Sequence, residues 1–188
     1  MTINKETNDI ELIQNYLKGE NQAFDILYER YKTIVYSFIC HMLGKDFSNA
    51  DDIFQETWIR AISNFHKYQN QEKFIAWIMT IARNRVMDLY RDSNRNFEEE
   101  LDDNIQAEKL SSSGHAAWRD LDNESLSKAL SDAVNRLTPM LREVFLLRKE
   151  DIPFREIAKI QGCSINTCLA RYQYALQQLR KILSEWKP

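Results

Sequence analysis

Apolar residues in this chain return every third or fourth position almost throughout, and only four glycines and three prolines interrupt them. That spacing gathers them on one side of a helix, whereas a strand would need them at every second position. A sheet would also need hairpin punctuation that so few turn-formers cannot supply. The chain is therefore expected to be all-α. At 188 residues and 44% hydrophobic content it can fill one or two helical cores.

The first helix pattern runs from Asp9 to Leu17 (Ile10, Leu12, Ile13, Leu17) and stops at Gly19, a natural C-terminal cap. A second, long one follows Asn21 and ends at Gly44, with Ala23, Phe24, Leu27, Tyr28, Tyr31, Ile34, Val35, Phe38, Ile39 and Met42 at core spacing. The third is announced by Ser48-Asn49-Ala50-Asp51-Asp52, where Ser or Asn can cap and two carboxylates favour the positive end of the helix dipole. Here Ile53, Thr57, Ile59, Ala61 and Ile62 are expected to serve the core. Asp52, Gln55, Glu56 and Arg60 gather on an exposed side beside Phe54 and Trp58, a face suited to docking on a partner helix. No nearby His or Gly-rich loop completes a catalytic or metal site around these acids.

Phe74 to Arg91 forms the most informative helix. Phe74, Trp77, Ile78, Ile81, Ala82 and Leu89 fall on one arc; Thr80, Arg83, Asn84, Met87 and Arg91 fall opposite. The outer face carries arginines and an amide, with no carboxylate until Asp88, which can pair with Asn84, Arg85 or Arg91 on adjacent turns. Such a face suits an anionic polymer. The connector before it, Phe65 to Lys73, offers aromatic and amide side chains that can stack on or bond to an unpaired base.

Charge divides the chain. Residues 1–95 carry 12 Lys/Arg and 13 Asp/Glu, residues 96–124 carry 2 and 9, and residues 125–188 carry 11 and 6, for net charges of −1, −7 and +5. The middle segment, with Glu98-Glu99-Glu100, Asp102-Asp103 and Ser111-Ser112-Ser113-Gly114, reads as an acidic linker between two domains. Three cysteines without a C-x2-C pair argue against a disulfide framework or a four-ligand zinc site and are expected as small core residues. The first residues lack a secretion signal, and no apolar run reaches the length of about 18 residues that a membrane span needs, so a cytoplasmic protein is expected.

In the basic C-terminal part a helix pattern resumes at Ser125 (Leu126, Ala129, Leu130, Ala133, Val134, Leu137), and Thr138-Pro139 supplies a cap and first-turn proline for the helix Met140 to Lys149. Pro153 starts a shorter one that Gly162 stops, and Ser164 can cap the last, in which Ile165, Cys168, Tyr172, Ala175, Leu176, Leu179 and Leu183 are in phase. Two helices joined this closely, with Ala158, Gly162 and Cys168 at inward positions, make a helix-turn-helix. Its second helix would place Asn166, Thr167, Ala170, Gln173 and Tyr174, flanked by Arg171, toward the major groove.

Asp51-Asp52-Ile53-Phe54-Gln55-Glu56, followed by Phe74-x-x-Trp77-x-x-x-Ile81-Ala82-Arg83-Asn84-x-x-x-Asp88-x-x-Arg91, resembles region 2 of the extracytoplasmic-function (ECF) group of sigma-70 family transcription initiation factors. Leu141 to Arg148 and the helix-turn-helix resemble region 4 of the same family. The resemblance implies two helical domains without enzymatic activity or cofactor, residues 1–95 and 125–188. By it, Asp51, Asp52, Phe54, Gln55, Glu56, Arg60 and Arg142 become contacts to core RNA polymerase, on its β′ clamp helices and β flap. Lys67, Tyr68, Lys73, Trp77, Arg83, Asn84 and Arg91 become contacts to the melted −10 promoter element, with Asn84 at a pocket for a flipped base. Arg155, Asn166, Thr167, Ala170, Arg171 and Tyr174 become contacts to the −35 duplex. The family also implies an anti-sigma factor as inhibitor, and a linker whose negative charge occupies the polymerase channel that RNA later fills. The recognition helix departs from the family pattern: Leu169 and Tyr174 stand where positive charges are common. Each lost phosphate contact weakens binding by about one counterion, so tight DNA binding is expected to need polymerase tethering both domains. A dimeric helix-turn-helix regulator, or an adaptor for an acidic partner, would leave the Asp51–Glu56 motif or the Phe74–Arg91 helix without a role.

Overall fold

The computed structural model describes residues 4, 6–44, 47–68, 73–92 and 124–184. Among them are eight α-helices and no strand, in two compact units, Met1–Arg95 and Asn96–Pro188. The acidic linker expected at 96–124 lies outside the described residues, apart from Glu124, which already opens a helix.

The first unit holds α1 (Asp9–Leu17), α2 (Asn21–Leu43), α3 (Ala50–Ser63), a single 3-10 turn at Phe65–Lys67 and α4 (Phe74–Asp92). Asn8 caps α1 by accepting from the Glu11 amide at 2.9 Å, and Gly19 turns the chain at φ 101°. Asp9 then latches α1 to α2: it pairs with Arg30 and accepts from the Tyr31 hydroxyl at 2.7 Å. The core is made by Leu12 and Ile13 of α1, Leu27, Val35, Phe38, Ile39 and Met42 of α2, Ile53 and Ala61 of α3, and the inner stripe of α4. Tyr90 closes the far end of α2 by donating to the Met42 carbonyl at 3.1 Å.

Several sequence expectations are corrected. The buried stripe of α4 is Ile75, Ile78, Met79, Ala82 and Val86 together with Phe74 and Ala76, while Trp77, Ile81 and Leu89 are half-buried. Methionine and valine at positions read as outer or neutral carry the contact, because α2 and α3 cover a wider arc than one row of large residues. In α3, Trp58 is buried and Ile59 is 62% exposed, the reverse of the expectation. An aromatic cluster draws Trp58 inward: Phe24, Tyr28 and Phe54 lie 5.8, 5.0 and 6.4 Å from it, and this edge-on packing outweighs the aliphatic contact of Ile59. Asn49, at the cap position, makes no side-chain cap to α3.

The second unit holds α5 (Glu124–Asn135), α6 (Pro139–Lys149), α7 (Phe154–Gln161) and α8 (Ile165–Ser184). From Met140 to Leu147, α6 is buried on every side, including Arg142 and Glu143, so it forms the unit's central rod. Pro139 occupies its first turn, but Thr138 makes no side-chain cap. Ser164 does cap α8, its hydroxyl accepting from the Thr167 amide at 3.0 Å. The inward residues of the helix-turn-helix are Ala158 and Cys168, with Ala175 and Leu179 further along; Ile165, expected in the core, is 47% exposed. Gly162 is also exposed. A Cβ added there would meet nothing within 4 Å, so its role is its left-handed backbone (φ 64°, ψ 33°) rather than a close helix crossing. Of the cysteines only Cys168 is buried; Cys40 and Cys163 are half-buried.

Candidate functional site

Three surfaces carry the residues singled out above. On α3, Asp52, Gln55, Glu56 and Arg60 are exposed, and Ile59 lies among them at helical spacing. Sequence reading missed Ile59 because its period also fits a core position; only the packing of Trp58 against Phe24 and Tyr28 turns it outward. Phe54 is half-buried, edge-on to Tyr36 at 5.4 Å. Asp51 accepts from the Tyr36 hydroxyl at 2.9 Å, and that bond, foremost, pushes the Tyr36 pKa up to about 12. Glu56 is paired with Arg85, which also binds Asp88 at 2.9 Å; Asp88 in turn binds Arg91 at 3.2 Å. Glu56 is thus tied to α4, whereas Asp52, Gln55, Ile59 and Arg60 form the outer edge of the face.

The second surface is built on α4 and the turn before it. Asn84 and Arg91 are exposed and Arg83 is half-buried, on the side of the helix away from Ile78, Ala82 and Val86. Lys67 and Lys73 are exposed at the two ends of the connector. Tyr68 and Trp77, both half-buried, stand 5.4 Å apart edge-on, backed by Phe65 and Phe74. Two partly open rings beside lysines and arginines are the chemistry that holds unstacked bases on a phosphate backbone. The connector's middle, 69–72, lies outside the described residues.

The third surface is α8 with the start of α7. Asn166 and Thr167 are exposed in the first turn of α8, and Arg155 is exposed on α7; Ala170, Arg171, Gln173 and Tyr174 are half-buried. The Thr167 hydroxyl lies 2.8 Å from that of Ser164, within the cap. No Asp or Glu occurs between Ile165 and Ser184, so α8 carries no carboxylate that would repel a polyanion.

Arg142 belongs to none of these surfaces. The residue is 7% exposed, and its guanidinium donates to the carbonyls of Val134, Asn135 and Leu137 at 3.2, 2.7 and 2.8 Å. It caps the end of α5 from within, which corrects the expectation of a polymerase contact. Burial pushes the Cys168 thiol up to about 11 and raises that of Cys40, which disfavours the reactive thiolate. Among the described residues no three His, Cys, Asp or Glu side chains gather as a metal would need, and no helix is long and apolar enough to cross a membrane.

The family model of sigma-70 region 2 matches residues 27–96, and that of sigma-70 region 4 matches residues 127–179. RNA polymerase sigma factor CarQ of Myxococcus xanthus is 30% identical over 174 residues, covering 92% of this chain and 96% of its own length. The chain belongs to the ECF group of sigma-70 family sigma factors. The ECF sigma factor BldN of Streptomyces coelicolor is 31% identical over 94% of this chain, which spans 66% of that relative's length. Among solved structures, CnrH in complex with the cytosolic domain of CnrY has a TM-score of 0.63, with 20% identity, covering 95% of this chain and 99% of that one. The sigma factor RpoE in complex with the anti-sigma factor NepR, from Bartonella quintana, has a TM-score of 0.59 and 21% identity, covering 86% and 98%. Both share the fold. As a sigma factor this chain is a transcription initiation protein rather than an enzyme: it associates with core RNA polymerase and directs it to promoters.

Proposed function

We propose that the three surfaces divide the work of initiation, within a cytoplasmic holoenzyme. The α3 face, Asp52, Gln55, Ile59 and Arg60 with Glu56 behind them, docks on the clamp helices of the polymerase β′ subunit. The α4 surface takes the melted −10 strand: Lys67, Lys73, Arg83 and Arg91 meet phosphates, Tyr68 and Trp77 stack on bases, and Asn84 bonds a base turned out of the helix. Extruding a base costs a few kcal/mol, and stacking on an aromatic side chain returns about 1–3 kcal/mol per base. Melting and reading therefore occur in one step. In the C-terminal domain, 125–188, α8 lies in the −35 major groove through Asn166, Thr167, Ala170, Arg171 and Tyr174. Arg155 meets the adjacent backbone, and the unit rests on the β flap. The acidic segment 96–124 runs between the domains through the basic RNA channel. An anti-sigma protein holds the chain inactive, a reading supported by the complex of a similarly folded sigma factor with the anti-sigma factor NepR.

The observation that carries this reading is the exposed face of α3, where Ile59, 62% exposed, stands among four polar side chains on a helix otherwise committed to the core. An apolar anchor ringed by charge is the makeup of a protein-docking patch. The test is transcription in vitro with purified core polymerase and a promoter library, comparing wild type with Asp52→Ala/Gln55→Ala and with Asn84→Ala. Glu56 is left in place so that its pair with Arg85 survives. Loss of holoenzyme in the double variant, and altered preference at one −10 base in the Asn84 variant, are expected. Full activity in both would refute the assignment.

A further inference from the structure

The turn of the helix-turn-helix contains a network that none of the roles above uses. Gln161, the last residue of α7, is 8% exposed, and Glu143 of α6 is fully buried beneath it. The Gln161 Nε2 donates to the Met140 carbonyl at 3.0 Å and to Glu143 Oε2 at 3.1 Å. Both partners are acceptors, so the amide has one workable orientation. Turned over, its own carbonyl would face a carbonyl and a carboxylate in a buried site. The Oε1 is therefore held on the other side, where it accepts from Nη1 of Arg171 at 3.1 Å; the Cys163 thiol lies 4.0 Å from the same oxygen. A rigid acceptor anchored on α6 thus holds one corner of a guanidinium on α8.

Two consequences follow from the chemistry of that contact. Arginine has five N–H donors, and one hydrogen bond to Gln161 leaves others for a ligand. The partner is a neutral amide, so the positive charge of Arg171 is not cancelled as it would be by a carboxylate. Fixing a long side chain before DNA arrives also removes part of the ordering cost of binding. Arg171 is the single Lys or Arg between Ile165 and Leu179, so its orientation matters more here.

We propose that Gln161 is a positioning residue for promoter recognition: locked by Glu143 and Met140, it presents the planar fork of Arg171 to a single base pair of the −35 duplex. This rests on the assignment of α8 to that duplex. The test uses holoenzyme with the full chain and a promoter library randomised at −35, for wild type, Arg171→Ala, Gln161→Met and the double variant. Arg171→Ala should flatten the preference at one base pair by roughly tenfold. Gln161→Met should flatten the same position by several fold, leave the others unchanged and add nothing in the Arg171→Ala background. A Gln161→Met effect spread evenly over all −35 sequences, or falling on different positions, would make the network a structural pin and overturn the proposal. If Gln161→Met proves misfolded by circular dichroism, Arg171→Lys decides: it keeps the charge but not the fork, so the one-position preference should be lost while −35 dependence survives. Retained preference overturns the proposal. A wild type indifferent to every −35 sequence would instead sink the assignment of α8 itself, and the proposal with it.

Discussion

Replacing Arg142 with methionine should destabilise the second unit by about 3 kcal/mol while leaving the first unchanged. Helix α5 ends at Asn135, so its last carbonyls have no partner within the helix. Arg142 reaches back from α6 to serve Val134, Asn135 and Leu137, and its contacts to Val134 and Leu137 are buried. A buried acceptor left without a donor costs about 1–3 kcal/mol. The Leu137 carbonyl loses its donor at about 2 kcal/mol, while Val134 keeps the Leu137 amide at 3.1 Å and, with the half-buried Asn135, loses only a charge-assisted bond, so the sum is roughly 3 kcal/mol. Methionine keeps much of the stem volume, so little of this is a cavity effect. For a domain of this size the loss corresponds to a Tm lower by roughly 12–24 °C. A single global midpoint is not defined for a chain with two units, so the assay is amide hydrogen exchange by mass spectrometry on the full chain. Protection in α5 and α6 should fall roughly a hundredfold, with α1 to α4 unaffected. A loss below about 1 kcal/mol, accompanied by loss of polymerase binding, would refute the capping role and return Arg142 to the surface contact its position in the family motif implies.

Ile59→Ser should leave unfolding of the first unit within about 0.5 kcal/mol, because the side chain is already 62% exposed, yet weaken association with core polymerase roughly fivefold to tenfold; unchanged affinity in a holoenzyme titration would remove Ile59 from the docking face. Gly162→Ala should cost about 1–2 kcal/mol from its left-handed backbone alone, and Gly162→Asn less, measured by urea unfolding. Equal losses for the two would point away from the backbone angle as the cause. Tyr36, through its bond to Asp51, and Tyr31, through burial and then Asp9, both hold their protons beyond the ordinary tyrosine range. Above about pH 10 the unfolded chain gives up protons that the folded chain keeps, so stability falls as pH rises from about 10 toward 12. A phenolate absorbance titration should show late-ionising tyrosines, one fewer in Tyr36→Phe; eight tyrosines titrating together would refute it.

Much of the fold was legible because it is local. The spans Asp9–Leu17 and Asn21–Leu43 follow from periodicity and from Gly19 and Gly44, whose backbones turn at φ 101° and 70°. The Ser164 cap was legible for the same reason. Illegible were choices between two residues with equal claim to the core. Trp58 and Ile59 are adjacent, and periodicity admits either; a cluster of rings contributed by α2 selects the tryptophan. Ile165 is likewise in phase with Cys168 and Tyr172, but as the first residue of α8 it stays 47% exposed. In the candidate site, the exposed polar residues of α3, Asn84 and Asn166 could be placed from helix phase alone. The commitments of Glu56, Arg142 and Arg171 could not, because each depends on a partner from another helix or loop.

By itself, the sequence determined the helices, their order, the acidic break between two differently charged parts, and the motifs that mark a sigma factor, since each depends on residues close together in the chain. Only the tertiary structure decided which charged groups are spent inside the protein. Arg142 carries the same charge as Arg155, yet one caps a buried helix end and the other faces solvent. Desolvation separates them: a guanidinium surrounded by the carbonyls at the end of α5 and just beyond it is held there, and which carbonyls come within reach is settled by helix packing rather than by spacing along the chain.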